Sequence, residues 1–243
     1  MFMNVTALQR SKDRKVANSV TAGGLPRIAN TFGLPAGLEY SCPGATSICS
    51  KICYAGNLEK IYKGVKEKLV QNWDLLKDAD YGTMVSLIDA MIVEFEADCE
   101  KWNAEKLFRI HWDGDFFNVD YTRAWREVIK RHDGVQFWVY TRSAFAVPEL
   151  IDIENLGLYF STDDDNLELA DGLKKTYGVK LAYLAENFAA GQSKIKEMTA
   201  RPGAKCPENK KAIPLISPDG SACVRCSLCV FQKTDVVFSA SKK

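Results

Sequence analysis

The sequence predicts an α/β fold, with six parallel strands forming a partial (β/α)6 barrel and a C-terminal cysteine-rich metal-binding segment. Three observations predict it. Short apolar or β-branched runs alternate with longer stretches of helical period, polar residues gather just after those runs, and seven of the eight cysteines fall into two groups. Strands separated by helices favour parallel pairing, because each crossover needs a dozen or so residues and a helix supplies them.

The strand candidates are residues 37–41, 107–112, 135–140, 157–161, 179–184 and 212–216. Helical period marks residues 57–77, 84–99, 119–132, 165–177 and 189–199, with a weaker candidate at 146–154. In the second of these, Met84, Ile88, Met91, Ile92 and Phe95 form one apolar stripe, and Cys99 continues it. Cys99 is therefore expected to be a small core residue. His132 reads as the C-terminal residue of its helix. Residues 1–200 are expected to form the barrel with an N-terminal cluster loop, and residues 201–243 a four-cysteine metal-binding segment.

At 243 residues the chain is long enough to bury a large core, and its 47% hydrophobic and 26% charged residues are ordinary for a globular protein. No apolar run approaches the roughly 18 residues of a membrane span. The N-terminus lacks the apolar stretch of a signal peptide, so a soluble cytoplasmic protein with reduced thiols is expected. Eight cysteines in that setting suit metal ligation better than disulfides. A net charge of +1 gives no argument about nucleic acid. The local basic runs Arg10, Lys12, Arg14, Lys15 and Lys60, Lys63, Lys66, Lys68 read as solvated faces.

The residues after the strands carry the chemistry. His111-Trp112-Asp113-Gly114-Asp115 follows one candidate, Thr141-Arg142-Ser143 another, Ser161 to Asp165 a third, and Ala185-Glu186-Asn187 a fourth. In a parallel barrel these carboxyl ends meet on one face, where barrel enzymes assemble their sites. Helix capping accounts for Asp165 and Thr162. It does not account for His111, Arg142 or the pair Asp113 and Asp115. For Asp113 and Asp115 a turn with capping competes equally with ligand contact, and for Arg142 a salt bridge to one of the aspartates does. A lone strand-end histidine such as His111 is more often structural than catalytic.

The stretch SCPGATSICSKICYA sets Cys42, Cys49 and Cys53 at gaps of six and three residues. Three close thiolates without an obvious fourth suit a zinc completed by His111, or a four-iron cluster with one iron free to bind something else. Cys206, Cys223, Cys226 and Cys229 offer four thiolates, enough for a closed zinc site or a second [4Fe–4S] cluster. Repeated two-residue gaps favour iron.

Three cysteines after a first strand, the last followed by an aromatic residue, resemble the radical S-adenosylmethionine enzymes, although the usual gaps there are three and two. Together with HWDGDFF, FWVYTRS and CVRCSLC, the same stretch resembles the bacteriophage gene product 88 family from about residue 20 to 232. That family itself looks like a divergent radical-S-adenosylmethionine type of TIM-like barrel. The resemblance implies a [4Fe–4S] cluster on Cys42, Cys49 and Cys53, and S-adenosylmethionine as a further cofactor. It implies Tyr54 beside the adenine, Asp113, Gly114 and Asp115 at the amino group, and Arg142 at the carboxylate. Ser161 and Glu186 complete the set of cofactor contacts, with His111, Asp113 and Asp115 as catalytic candidates. A phage enzyme of this kind would work in the host cytoplasm on a small-molecule or nucleic-acid-related substrate and would need an electron donor.

Two other functions fit the same residues. One is a protein with structural metal centres that binds nucleic acid or a host protein, using Trp112, Phe116, Phe117, Trp138 and Tyr140 as stacking platforms. The other is a zinc-dependent base-modifying enzyme of transglycosylase type, with Asp113 or Asp163 as nucleophile and the terminal cysteines on zinc.

Overall fold

Short polar side chains start most of the helices. In the computed structural model, which describes residues 7–217 and 220–241, Thr46 caps α1 (Ser47–Ile52) by accepting the Cys49 N–H, and the Cys53 thiol caps α2 (Tyr54–Ile61) by accepting that of Gly56. After α3 (Lys63–Leu76), Asp80 caps the long α4 (Tyr81–Trp102), which buries its stripe from Met84 to Cys99 and ends on left-handed Asn103. Then β1 (Leu107–Ile110) leads to α5 (Val119–Arg131), capped by Asn118, and β2 (Gln136–Thr141) to α6 (Ala146–Leu150). Next come β3 (Leu156–Thr162), a 3-10 turn at Asp164–Asn166, α7 (Leu167–Tyr177), β4 (Lys180–Ala185) and α8 (Phe188–Thr199). The remaining elements are short: β5 (Ala204–Lys205), β6 (Ile216–Ser217), β7 (Gly220–Ser221), α9 (Ala222–Cys226) and β8 (Val236–Ser239). No helix among the described residues is long and apolar enough to cross a membrane.

Six strands form one sheet in the order β1-β2-β3-β4-β8-β5, and every neighbouring pair is parallel. Residues 30–32 extend the sheet beyond β1 through Arg109 N–H to Asn30 and Phe32 N–H to Arg109. Register sorts the strand side chains into two faces. Phe108, Phe137, Val139, Leu158, Phe160, Leu181 and Val237 share one core with the apolar stripes of α4 and α5. On the other face Leu107, Trp138, Tyr159, Ala182 and Val236 pack against Cys206, Cys223, Cys229 and Val230. Burial on both faces explains why these strands read as near-continuous apolar runs. A Cβ on Gly157 would lie 2.5 Å from the Cys229 carbonyl oxygen and 2.8 Å from that of Val230, so the cysteine-rich segment rests directly on the sheet.

The α/β class and the parallel sheet agree with the sequence, and four of the six strand candidates lie in that sheet. Two do not. Residues 37–41 form a turn, because Gly37 has φ +124° and its carbonyl accepts the N–H groups of Tyr40 and Cys42. Residues 212–216 are mostly turn, and Ile216 enters a separate antiparallel pair with β7. Their places in the sheet are taken by β5 and β8, so residues 201–243 supply both strands at one side of the sheet. The single helix expected at 57–77 is broken at Tyr62, whose backbone is extended (φ −115°, ψ 98°); Gly64 just beyond weakens the helical tendency there.

Candidate functional site

Parallel pairing puts the carboxyl ends of β1, β2, β3, β4 and β8 on one edge of the sheet, and the loop carrying Cys42, Cys49 and Cys53 docks there. Glycines make the docking close. Gly114 has φ +78°, and a Cβ on it would lie 2.4 Å from Ser41 Oγ and 2.7 Å from the Leu34 oxygen. A Cβ on Gly44 would lie 2.2 Å from the Arg142 carbonyl oxygen. Ser41 Oγ donates to the Pro35 carbonyl (2.7 Å) and accepts the Asp115 N–H (3.3 Å).

Charged side chains complete the attachment. Arg142 Nη1 lies 2.9 Å from Asp163 Oδ2, with side chains only 10% and 0% exposed, and Thr46 Oγ1 donates to the same oxygen at 2.7 Å. Asp165 accepts from the Ser47 hydroxyl and the Ile48 N–H, so it holds the start of α1. It does not cap its own turn, as the sequence suggests. Asp163 does, in a capping box with Asn166. The salt bridge of Arg142 is thus to Asp163, and Asp115 accepts only its backbone N–H (2.7 Å).

Around this loop lies a cavity of 510 Å³. Cys42, Cys49, Cys53, Tyr54, His111, Asp113, Gly114, Asp115, Arg142 and Ser161 all border it. Glu186 does not. It is exposed, and β8 beside it engages only its carbonyl, which accepts from Ser239 Oγ. Burial, reinforced by the Asp115 carboxylate, pushes the Cys42 thiol up to about 12. Burial also raises Cys49, against the pull of the Arg142 guanidinium. Cys99 lies elsewhere, fully buried in the helix core with its sulfur against Asn18, as its place on the stripe implies.

The strand-end candidates divide by what their atoms already do. Asp115 is saturated: Oδ1 accepts from Thr141 Oγ1 (2.6 Å) and the Phe116 N–H (2.7 Å), and Oδ2 accepts from Arg142. Its pKa rises to about 6 because burial outweighs these bonds. His111, at φ +56°, turns its ring among Phe32, Phe116, Tyr121 and Trp125. Its Nε2 is 2.8 Å from Tyr121 Oη, and burial with the Arg109 charge lowers its pKa to about 3, so it is a neutral residue of the aromatic core. It also borders the cavity, with Nδ1 buried and without a hydrogen-bond partner. Asp113 differs. Its Oδ1 accepts the Gly114 N–H, whereas Oδ2 is buried without a partner. Burial and the neighbouring Glu59 carboxyl raise its pKa. Glu59 is not singled out by any sequence motif; it is a charged residue turned inward on α2, only 7% exposed, and its Oε1 accepts the Ala36 N–H.

The second cysteine group lies beneath the first. Cys206, Cys223, Cys226 and Cys229 border an 80 Å³ cavity against the sheet, with Lys15, Arg109, Trp138 and Tyr140. Lys15, Arg109, Tyr140 and Phe238 line both cavities and form the partition between them. Burial pushes Cys223 and Cys229 up to about 12, while Lys15 and Arg109 oppose the shift at Cys223. Among the described residues, no group of three His, Cys, Asp or Glu side chains is placed to hold a metal ion. By donor type the soft thiols bordering each cavity fit an iron–sulfur cluster, and two cations stand beside the second set, the largely buried Arg109 and the partly exposed Lys15.

Some of the features offered for the other functions are engaged in the fold. Phe116 and Trp138 are buried, and Phe117 stacks on Tyr121 at 4.5 Å. Asp163 is fully buried in its ion pair. In the first basic run, Arg10 pairs with Asp98 (2.8 Å) and Lys15 with Glu208 (2.5 Å).

Comparison with known proteins adds an identity to this geometry. No solved structure matches the chain. It is 48% identical over 242 residues to the Gene 88 protein of Mycobacterium phage L5, covering 97% of this chain and 99% of that one. It is 46% identical over 246 residues to the Gene 88 protein of Mycobacterium phage D29, covering 98% and 100%. The family model described as Gene product 88 matches residues 6–232, which takes in both cysteine groups and the strand ends of β1 to β4; the chain belongs to the gene product 88 family.

Proposed function

We propose that this protein is a two-centre iron–sulfur protein of the radical S-adenosylmethionine type. One observation carries the reading: three thiols from a single loop border a 510 Å³ cavity at the carboxyl ends of parallel strands. Such strand ends are where parallel α/β folds place their chemistry. Cys42, Cys49 and Cys53 would hold a [4Fe–4S] cluster with one iron open, and Cys206, Cys223, Cys226 and Cys229 a second. When bound, the open cluster supplies an electron for cleaving S-adenosylmethionine, and the chain's part is to orient that molecule and exclude water.

The roles of the strand-end residues follow from their free atoms. Asp113, beside the cavity, is the group that would meet an ammonium, which would draw off the proton that burial and the Glu59 carboxyl hold on it. Asp115 and Arg142 hold the cysteine loop in register with β2 and β3. Tyr54, 58% exposed at the cavity rim, offers an aromatic face to an adenine.

The test is anaerobic purification with iron, sulfide and zinc analysis, followed by incubation with dithionite and S-adenosylmethionine. About eight irons per chain, four for each cluster, and release of 5′-deoxyadenosine are expected. Cys49→Ala should abolish the deoxyadenosine and leave the second centre's iron. A colourless protein containing zinc refutes the reading. Iron without deoxyadenosine leaves two structural clusters and favours a binding protein.

A further inference from the structure

The partition between the two cavities holds a cation with little to pair with. Arg109 sits in mid-strand on β1, its side chain 15% exposed, on the sheet face that the cysteine-rich segment covers. Among the described residues its nearest carboxylate, Asp13, is 3.8 Å away, and its Nε is buried without a hydrogen-bond acceptor. The guanidinium stands 5.5 Å over the Tyr140 ring. Tyr140 and Cys229 pack against the same buried cluster, and both border the second cavity. Lys15 brings a second cation to the same cavity, though Glu208 holds it at 2.5 Å. A buried guanidinium with so weak a partner is costly unless negative charge is brought to it. Four thiolates on a cluster bring that charge.

Resting on the two-cluster reading, we propose that Arg109 is a positioning residue for the second centre: its charge holds that cluster's reduction potential high. The physics is direct. Reduction adds an electron, and a nearby cation favours the more negative state.

The experiment uses the full chain with Cys42, Cys49 and Cys53 all replaced by Ala, so that iron is confined to the second centre, and follows an anaerobic redox titration by visible absorption and electron paramagnetic resonance. Arg109→Gln should move the midpoint to more negative potential with about four irons retained. Arg109→Lys should stay nearer the parent. If Arg109→Gln loses its iron while Arg109→Lys keeps it, the charge requirement is supported by loading. An unchanged midpoint in Arg109→Gln, with iron intact, overturns the inference and leaves the two-cluster reading standing. A parent that binds no iron at the second centre overturns both.

Discussion

Gly44 is the most exacting contact between the cysteine loop and the sheet. An alanine Cβ there would stand 2.2 Å from the Arg142 carbonyl oxygen and 2.5 Å from its carbon. Both obstacles are backbone, so no side chain can rotate away. Ordinary contact begins at 3.4 Å, and the loop and strand end must part by more than an ångström to reach it. Overpacking of this kind costs about 1–3 kcal/mol. Gly44→Ala should fall at the upper part of that range, since the same displacement pulls Thr46 from Asp163. For a chain of this size, about 2–3 kcal/mol corresponds to a melting temperature lower by about 4–12 °C. Gly64→Ala is the control: nothing lies within 4 Å of its Cβ, and it sits inside α3, so it should stabilise by about 0.5 kcal/mol. Urea unfolding at fixed pH measures both. A Gly44→Ala protein as stable as the parent would refute the close approach of these two backbones.

Three further outcomes are expected. Gly157→Ala should drive the Cys229 and Val230 carbonyls off β3, seen as faster proteolysis between residues 206 and 235 and, on the two-cluster proposal, as iron lost from the second centre alone. Arg142→Gln should cost about 3–5 kcal/mol in denaturant titration, because it leaves the Asp163 carboxylate buried and unpaired; adding Asp163→Asn should recover part of the loss. Asp113→Asn should become more stable relative to the parent as pH rises above about 4. A buried acid whose folded pKa is raised contributes stability below its unfolded pKa and loses it as pH climbs through the folded value, and the variant has no such proton to lose. A constant difference between the two proteins across pH 4–8 would count against the Asp113–Glu59 pairing.

How much of this was legible in the sequence depends on the range of the forces involved. Period and β-branching mark β1 to β4 because each is buried on both faces and flanked by helices that repeat at three and four. The helix stripe likewise places Cys99 in the core. The strand at 236–239 is as apolar, Val236-Val237-Phe238, but it follows a cysteine-rich stretch with no helix of ordinary length before it, so local pattern does not reveal a sheet partner. Residues 37–41 mislead for the opposite reason: they are apolar enough for a strand, and the left-handed Gly37 turns them aside. Gathering His111, Asp113, Arg142 and Ser161 at one cavity was readable from parallel pairing. Their individual tasks were not. Whether His111 faces aromatic rings, whether Asp115 is already saturated, and which carboxylate receives Arg142 depend on residues distant in the chain meeting in space. Arg109 and Glu59 are charged residues in otherwise apolar or amphipathic segments, and that mismatch is the signal that could have found them.

The position of β8 bears on how the chain is assembled. It lies between β4 and β5, completes the wall of both cavities through Phe238, and is separated from β5 in sequence by all three cysteines of the CVRCSLC stretch. During synthesis from the N-terminus, β1 to β4 and their helices can emerge and pack while this slot stays open. The cysteine-rich segment between β5 and β8 then packs on the face of the sheet, and β8 enters the slot beside β4. On the two-cluster proposal, metal delivery to the second site would be easiest before that last interior strand is inserted, and a ribosome paused ahead of residue 236 would hold a nascent chain whose sheet is still split.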